Sequence, residues 1–395
     1  MASVAHPTPD ADLAEHLPRL EPLEVHSGVV LGDRRAPRDD GADEAPGASP
    51  REVLEKLLLP ALSRPPCLVS FSGGRDSSAV LAAAVDAARR HGLDDPVPLT
   101  MRFENHPRTW EADHQERVIR HLGLGDWQTT PLTDELDGVG PMAGAALARH
   151  GLYWPANAHT MIPALDRARG GSLITGNGGD ELFTDWIWRR AALIVRGRIR
   201  PTRRDLNWIG LYLLPTAVRA RLWRARHPIN LSWLTPDAQS ELQRLWSTAL
   251  MEHGRTWRHE IVELAWSRYL ELCPAVFGAF ARDRDVRLAQ PFWDPRFIRA
   301  AAAAAPPQGF PSRTAAMNAH FGDLLPPENR ERSTKASFTE VFFGPATRRF
   351  AAEWTGAGLD TSIVDVEALR SEWLKPCPDF RSLTALQAAW LAAQA

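Results

Sequence analysis

A short apolar run, Cys67-Leu68-Val69-Ser70-Phe71, gives way to Ser72-Gly73-Gly74-Arg75-Asp76-Ser77-Ser78 and then to an alanine-rich stretch, Ala79 to His91, that Gly92 stops. Buried strand, glycine turn and helix in this order form a unit whose helix start can face an anion. The two glycines let the backbone come close to that anion, where a Cβ would stand in the way. The hydroxyls of Ser72, Ser77 and Ser78, with the free N–H groups of the helix start, can donate to phosphate oxygens. Asp76 alone repels phosphate, and becomes useful if it holds a Mg²⁺ that bridges to the phosphates. An ordinary strand-to-helix turn uses similar residues, so the turn by itself leaves both readings open. No GxxxxGK followed by Ser or Thr occurs, which excludes a Walker A site.

The flanking sequence repeats the alternation. Arg51 to Leu62 carries apolar residues at helical spacing. Further strands are predicted over Val97–Phe103, Trp127–Leu132 and Leu173–Thr175, and helices over Trp110–Leu122 and Ala143–His150. Alternating strands and helices predict an α/β fold with a parallel, doubly wound sheet. The last strand runs into a second glycine turn, Gly176-Asn177-Gly178-Gly179-Asp180-Glu181-Leu182-Phe183. Three parts are expected: a loosely ordered lead-in over 1–50 with a strand near Val29, an α/β core over 51–185, and a mostly helical portion over 186–395.

Composition narrows the function. A formal net charge of −2 gives no general attraction to nucleic acid. Cys67, Cys273 and Cys377 are odd in number and far apart, which fits a reducing cytoplasm rather than a disulfide framework. The N-terminus has neither a basic nor an apolar segment of signal-peptide type, and no run is long enough to span a membrane. Of the 46 basic residues only Lys56, Lys335 and Lys375 are lysines.

Four motifs, in order, carry a resemblance. SGGRDSS resembles the SGGxDS pyrophosphate loop of the adenine nucleotide α-hydrolase-like (PP-loop ATP pyrophosphatase) enzymes. TGNGGDELF, Pro291-Phe292-Trp293-Asp294 and Lys335 with Phe338 resemble signatures of the asparagine synthetase family. The resemblance covers roughly residues 51–395. It implies a parallel sheet flanked by helices, with a large helical C-terminal part, and cleavage of ATP between its α- and β-phosphates. It also implies that Asp76 and Asp180 hold Mg²⁺ against pyrophosphate, and that Gly176 to Gly179 complete the phosphate cradle. Val69, Ser70 and Leu99 to Arg102, Met101 among them, would line the adenine. Lys335 would stabilise charge near the α-phosphate and the acyl carbon.

Two departures bear on the substrate. Asparagine synthetases begin with a glutaminase domain whose nucleophile is an N-terminal cysteine, whereas here Ala2 follows Met1 and only about 50 residues precede the region of resemblance. Ammonia from glutamine is therefore not the expected acceptor. Asn177 stands where the synthetase has glutamate and the β-lactam-forming relatives have tyrosine, and a neutral amide cannot act as a general base. An enzyme that brings its own amine resembles the ring-forming branches, most of all the lasso peptide macrolactam cyclases. The expected substrate is then a peptide with a side-chain carboxylate and a free N-terminal amine, with a leader-peptide protease as a candidate partner. Glu271 is the candidate base. The alternatives are a small-molecule amide ligase of β-lactam synthetase type and a silent scaffold of the same fold. Residues 186–226, with 11 Arg and the single acid Asp205, are expected to grip a peptide or a partner, or else to form a solvated helix face.

Overall fold

The computed structural model describes residues 17–32, 48–104, 112–184, 186–252, 256–330 and 339–395. Five strands form one sheet: β1 (Cys67–Ser70), β2 (Val97–Phe103), β3 (Gln128–Leu132), β4 (Ser172–Ile174) and β5 (Arg287–Ala289). Their order is β3-β2-β1-β4-β5, and every pairing is parallel. The central strands β1 and β4 are covered on both faces, hence their near-continuous apolar runs, with Leu68, Val69, Leu173 and Ile174 all buried. Pro131 lies in β3 at the sheet's edge, where a missing N–H is tolerated. The strand order reverses between β1 and β4, and open α/β sheets bind ligands at such a reversal, beyond the strands' carboxyl ends.

The Arg75–Arg90 helix starts four residues before the predicted Ala79. Asp76, Ser77 and Ser78 therefore lie within its first turn rather than in the loop. Its alanines let it lie close on the sheet, and eleven of its residues are buried. β5 was not predicted, because Arg-Leu-Ala offers no strand signal and is ordered by pairing with β4.

The lead-in departs from expectation. Residues 17–32 are packed, and Val29 is buried without forming a strand. A short helix, Pro22–Ser27, begins with a reciprocal cap between Glu21 and Glu24. It is held from afar: Arg268 pairs with Glu24 at 2.6 Å, and the Trp233 indole donates to the His26 carbonyl at 2.9 Å. One apolar cluster joins sheet and helical portion, with Leu68 and Val69 alongside Phe292, Phe297 and Trp373. Among the described residues no helix is long and apolar enough to cross a membrane.

Candidate active site

Two loops leave the sheet side by side, one after β1 and one after β4. Gly176 packs onto the start of the first helix so closely that a Cβ there would lie 2.7 Å from the Asp76 carbonyl carbon. A Cβ on Gly179 would collide with the Asp76 carboxylate itself. Gly178 has φ +100°, a conformation that side chains rarely adopt. The glycines thus bring Asp76 and Asp180 together. Asp180 lies in a single helical turn, Gly179–Leu182.

A cavity of about 590 Å³ opens above these loops. Ser70, Ser72, Gly74, Asp76 and Ser77 line it from the β1 side, and Gly176, Asn177, Gly178 and Asp180 from the β4 side, with Met101 of β2 also on its wall. Val69, Gly73, Ser78 and Gly179 are not on that wall. Val69 and Ser78 are fully buried, and Gly73 packs on Gln115, whose amide donates to the Ser72 carbonyl at 2.9 Å. Ser72 and Ser77 share a hydroxyl contact of 3.1 Å, and the Ser77 hydroxyl also donates to the Gly74 carbonyl. A neighbouring apolar cavity of about 380 Å³ includes Leu99, Met101, Phe103 and Phe342, and shares Ser70 and Ser72 with the first. Arg102 instead lies over Trp127, 5.6 Å from its ring centre.

Arg313 decides the electrostatics. One arm of its guanidinium donates to Asp76 Oδ2 at 2.5 Å and the other to Asp180 Oδ1. Burial raises the Asp76 carboxyl above its ordinary pKa, against the pull of Arg313 and with a further push from Asp180. Asp76 Oδ1 is buried without a hydrogen-bond partner. That orphaned oxygen fits a cation site. No group of three or more His, Cys, Asp or Glu among the described residues could hold a metal by themselves. Mg²⁺ held here by Asp76 and Asp180 would draw its other ligands from phosphate oxygens and water, its usual manner in nucleotide sites.

Beside the β4 loop the wall is aromatic, with Trp293 lying against Gly178. Tyr269, Phe277 and Trp293 line it, with Phe277 stacked on Trp293 at 5.8 Å and Tyr269 edge-on to Trp293 at 5.8 Å. Tyr269 donates to Glu181, a third carboxylate on the cavity wall, whose pKa burial also raises. Pro291-Phe292-Trp293-Asp294 contributes Trp293 to this wall, while Asp294 caps the Pro295–Ala304 helix by accepting from the Arg296 N–H at 2.9 Å.

A family model described as asparagine synthase matches residues 55–394. The chain belongs to the asparagine synthase family. The five-stranded parallel sheet flanked by helices is that of its PP-loop ATP pyrophosphatase fold, and the chain is an ATP-dependent amide-forming ligase of that family, whose members use ATP, typically with Mg²⁺. No curated protein matches the chain.

Glu271 requires correction. It is absent from the cavity wall and pairs with Arg268 at 3.3 Å. Two residues along a helix is a rotation of about 200°, so with Tyr269 facing the cavity Glu271 faces away. Lys335 and Phe338 lie outside the described residues. Sequence reasoning missed Arg313, Tyr269 and Glu181. Glu181 carried a signal inside GGDELF, whereas Arg313, one of 43 arginines, carried none.

Proposed function

We propose that this ligase activates a peptide side-chain carboxylate with ATP and joins it to the peptide's own N-terminal amine, closing a macrolactam of lasso type. The observation that carries this reading is a single cavity lined both by the two glycine loops and by Tyr269, Phe277 and Trp293. A folded peptide presents apolar surface, which those three side chains accept.

The substrate carboxylate attacks the α-phosphate of ATP, and the bond to the β-phosphate breaks with release of pyrophosphate. The amine then attacks the acyl carbon, AMP leaves, and the amine gives up one proton. Holding both ends of one peptide makes this second step intramolecular. Asp76 and Asp180 would hold a Mg²⁺, which when bound would supply positive charge beside the departing phosphates. The Ser72 and Ser77 hydroxyls orient phosphate oxygens, and Asn177 orients a substrate carbonyl or amine. Glu181, fixed by Tyr269, takes the role of base given above to Glu271. Lys335 supports both half-reactions by its charge, a role that rests on the family motif. A leader-peptide protease is the proposed partner that frees the amine.

Incubation with ATP, Mg²⁺ and a linear precursor tests this. AMP, pyrophosphate and a peptide lighter by one water are expected. ADP and phosphate would refute adenylation, and turnover only with a small amino acid derivative would favour β-lactam-type closure. Glu181→Gln should slow ring closure on the order of 10²–10⁴-fold while pyrophosphate exchange continues. Lys335→Ala should retain ATP binding and lose product.

A further inference from the structure

Residues 186–226 carry 11 Arg against one acid, a formal +10 in a chain whose net charge is −2. That one acid, Asp205, is neutralised within the segment: Arg190 pairs with it at 2.5 Å, and the Thr202 N–H and hydroxyl donate to it. Arg219 is buried over Trp188, and the other arginines leave the segment with a large formal excess of positive charge.

Its apolar residues are arranged unusually. Trp208 packs on Trp188 and Trp223, with ring centres 5.9 and 5.8 Å apart, so the Leu206–Leu213 and Thr216–Arg226 helices turn their aromatic rings inward. The outward faces are not left to charge alone. Leu206 and Leu213, seven residues apart on one stripe, are each 64% exposed. Val218 and Leu222, four apart on the next helix, are 43% and 36% exposed. Aliphatic side chains this exposed have little of the chain packed over them. Arg203, Arg204 and Asp205 directly precede Leu206, and with Arg190 and Thr202 they line an open depression of about 550 Å³.

We propose that this outcrop docks the enzyme on an anionic lipid bilayer, with the leucines entering the interface and the arginines holding phosphate head groups. Arginines alone would suit any polyanion, and leucines alone a second copy of the chain. Exposed leucines in an arginine-rich segment match the two attractions a bilayer surface offers together. The remaining −12 of formal charge lies outside this segment.

The test is co-sedimentation of the full chain with vesicles of phosphatidylcholine, with or without phosphatidylglycerol. Binding is expected only to the anionic vesicles, weakening as salt rises. Arg203→Glu with Arg204→Glu should weaken it by about tenfold or more. Leu206→Ser with Leu213→Ser should also release the protein from anionic vesicles, with melting temperature and AMP release unchanged. Four results would overturn the proposal. They are no binding by the wild type, equal binding to neutral vesicles, indifference to the leucine substitutions, or a wild-type dimer that those substitutions disperse. The last would make the face an interface between copies.

Discussion

At the carboxyl edge of β1 and β4 the reactive side chains are packed against backbone, whereas over residues 186–226 the distinctive side chains project into water. Asp76 touches Gly176, Gly179 and Arg313 at once. Leu206 and Leu213 are mostly exposed. In the first region each group depends on its neighbours to a fraction of an ångström, so single changes should be severe and far from additive. In the second, many weak contributions act in parallel, and one change should be mild.

The largest test of that contrast is Asp76→Asn. Losing the carboxylate that faces Asp180 should cut AMP formation on the order of 10²–10³-fold, measured as single-turnover release. A variant of near-normal rate would break the comparison. Gly179→Ala comes next, because its methyl group meets the Asp76 carboxylate. It should destabilise the fold by about 1–3 kcal/mol in denaturant melts and lose activity with it.

Glu260 tests the seam between the regions, since it neighbours Trp186 at the root of the outcrop. Burial pushes its carboxyl up to about 7 from an ordinary 4.5. The folded chain thus holds this proton more tightly than the unfolded chain does, and stability falls as pH rises from about 4.5 to about 7. Glu260→Gln should flatten that part of the profile and gain on the order of 2 kcal/mol at pH 8, read as the difference between variant and wild-type melts. The smallest effect belongs to Leu213→Ser without lipid, where stability should move by less than about 0.5 kcal/mol and product formation not at all.

The β1 loop was legible because its logic is local. A strand, two glycines and a helix start adjoin in the chain, and backbone geometry alone sets them facing an anion. The second loop was legible as a strand running into a glycine turn, and its expected role came from the resemblance of TGNGGDELF to the family signature. The helix start was misplaced, since Arg75 to Ser78 read as loop chemistry although they form the first turn. The lead-in was misread because its Pro, Ala, Asp and Gly composition hides a short segment that Arg268 and Trp233 hold from far along the chain.

The sequence by itself determined the sheet's parallel character and the glycine turns that follow two of its strands, which follow from short-range rules of alternation, glycine and burial. The pairing of Asp76 with Asp180 was expected only from the resemblance of those turns to the family's motifs. Only the tertiary structure decided that Arg313 bridges those carboxylates, that Tyr269 holds Glu181, and that Glu271 turns away. Arg313 lies 237 residues from Asp76 and 133 from Asp180. Which cation neutralises a buried pair, and which face of a helix meets a cavity, depend on how distant elements cross, and no local pattern encodes that crossing.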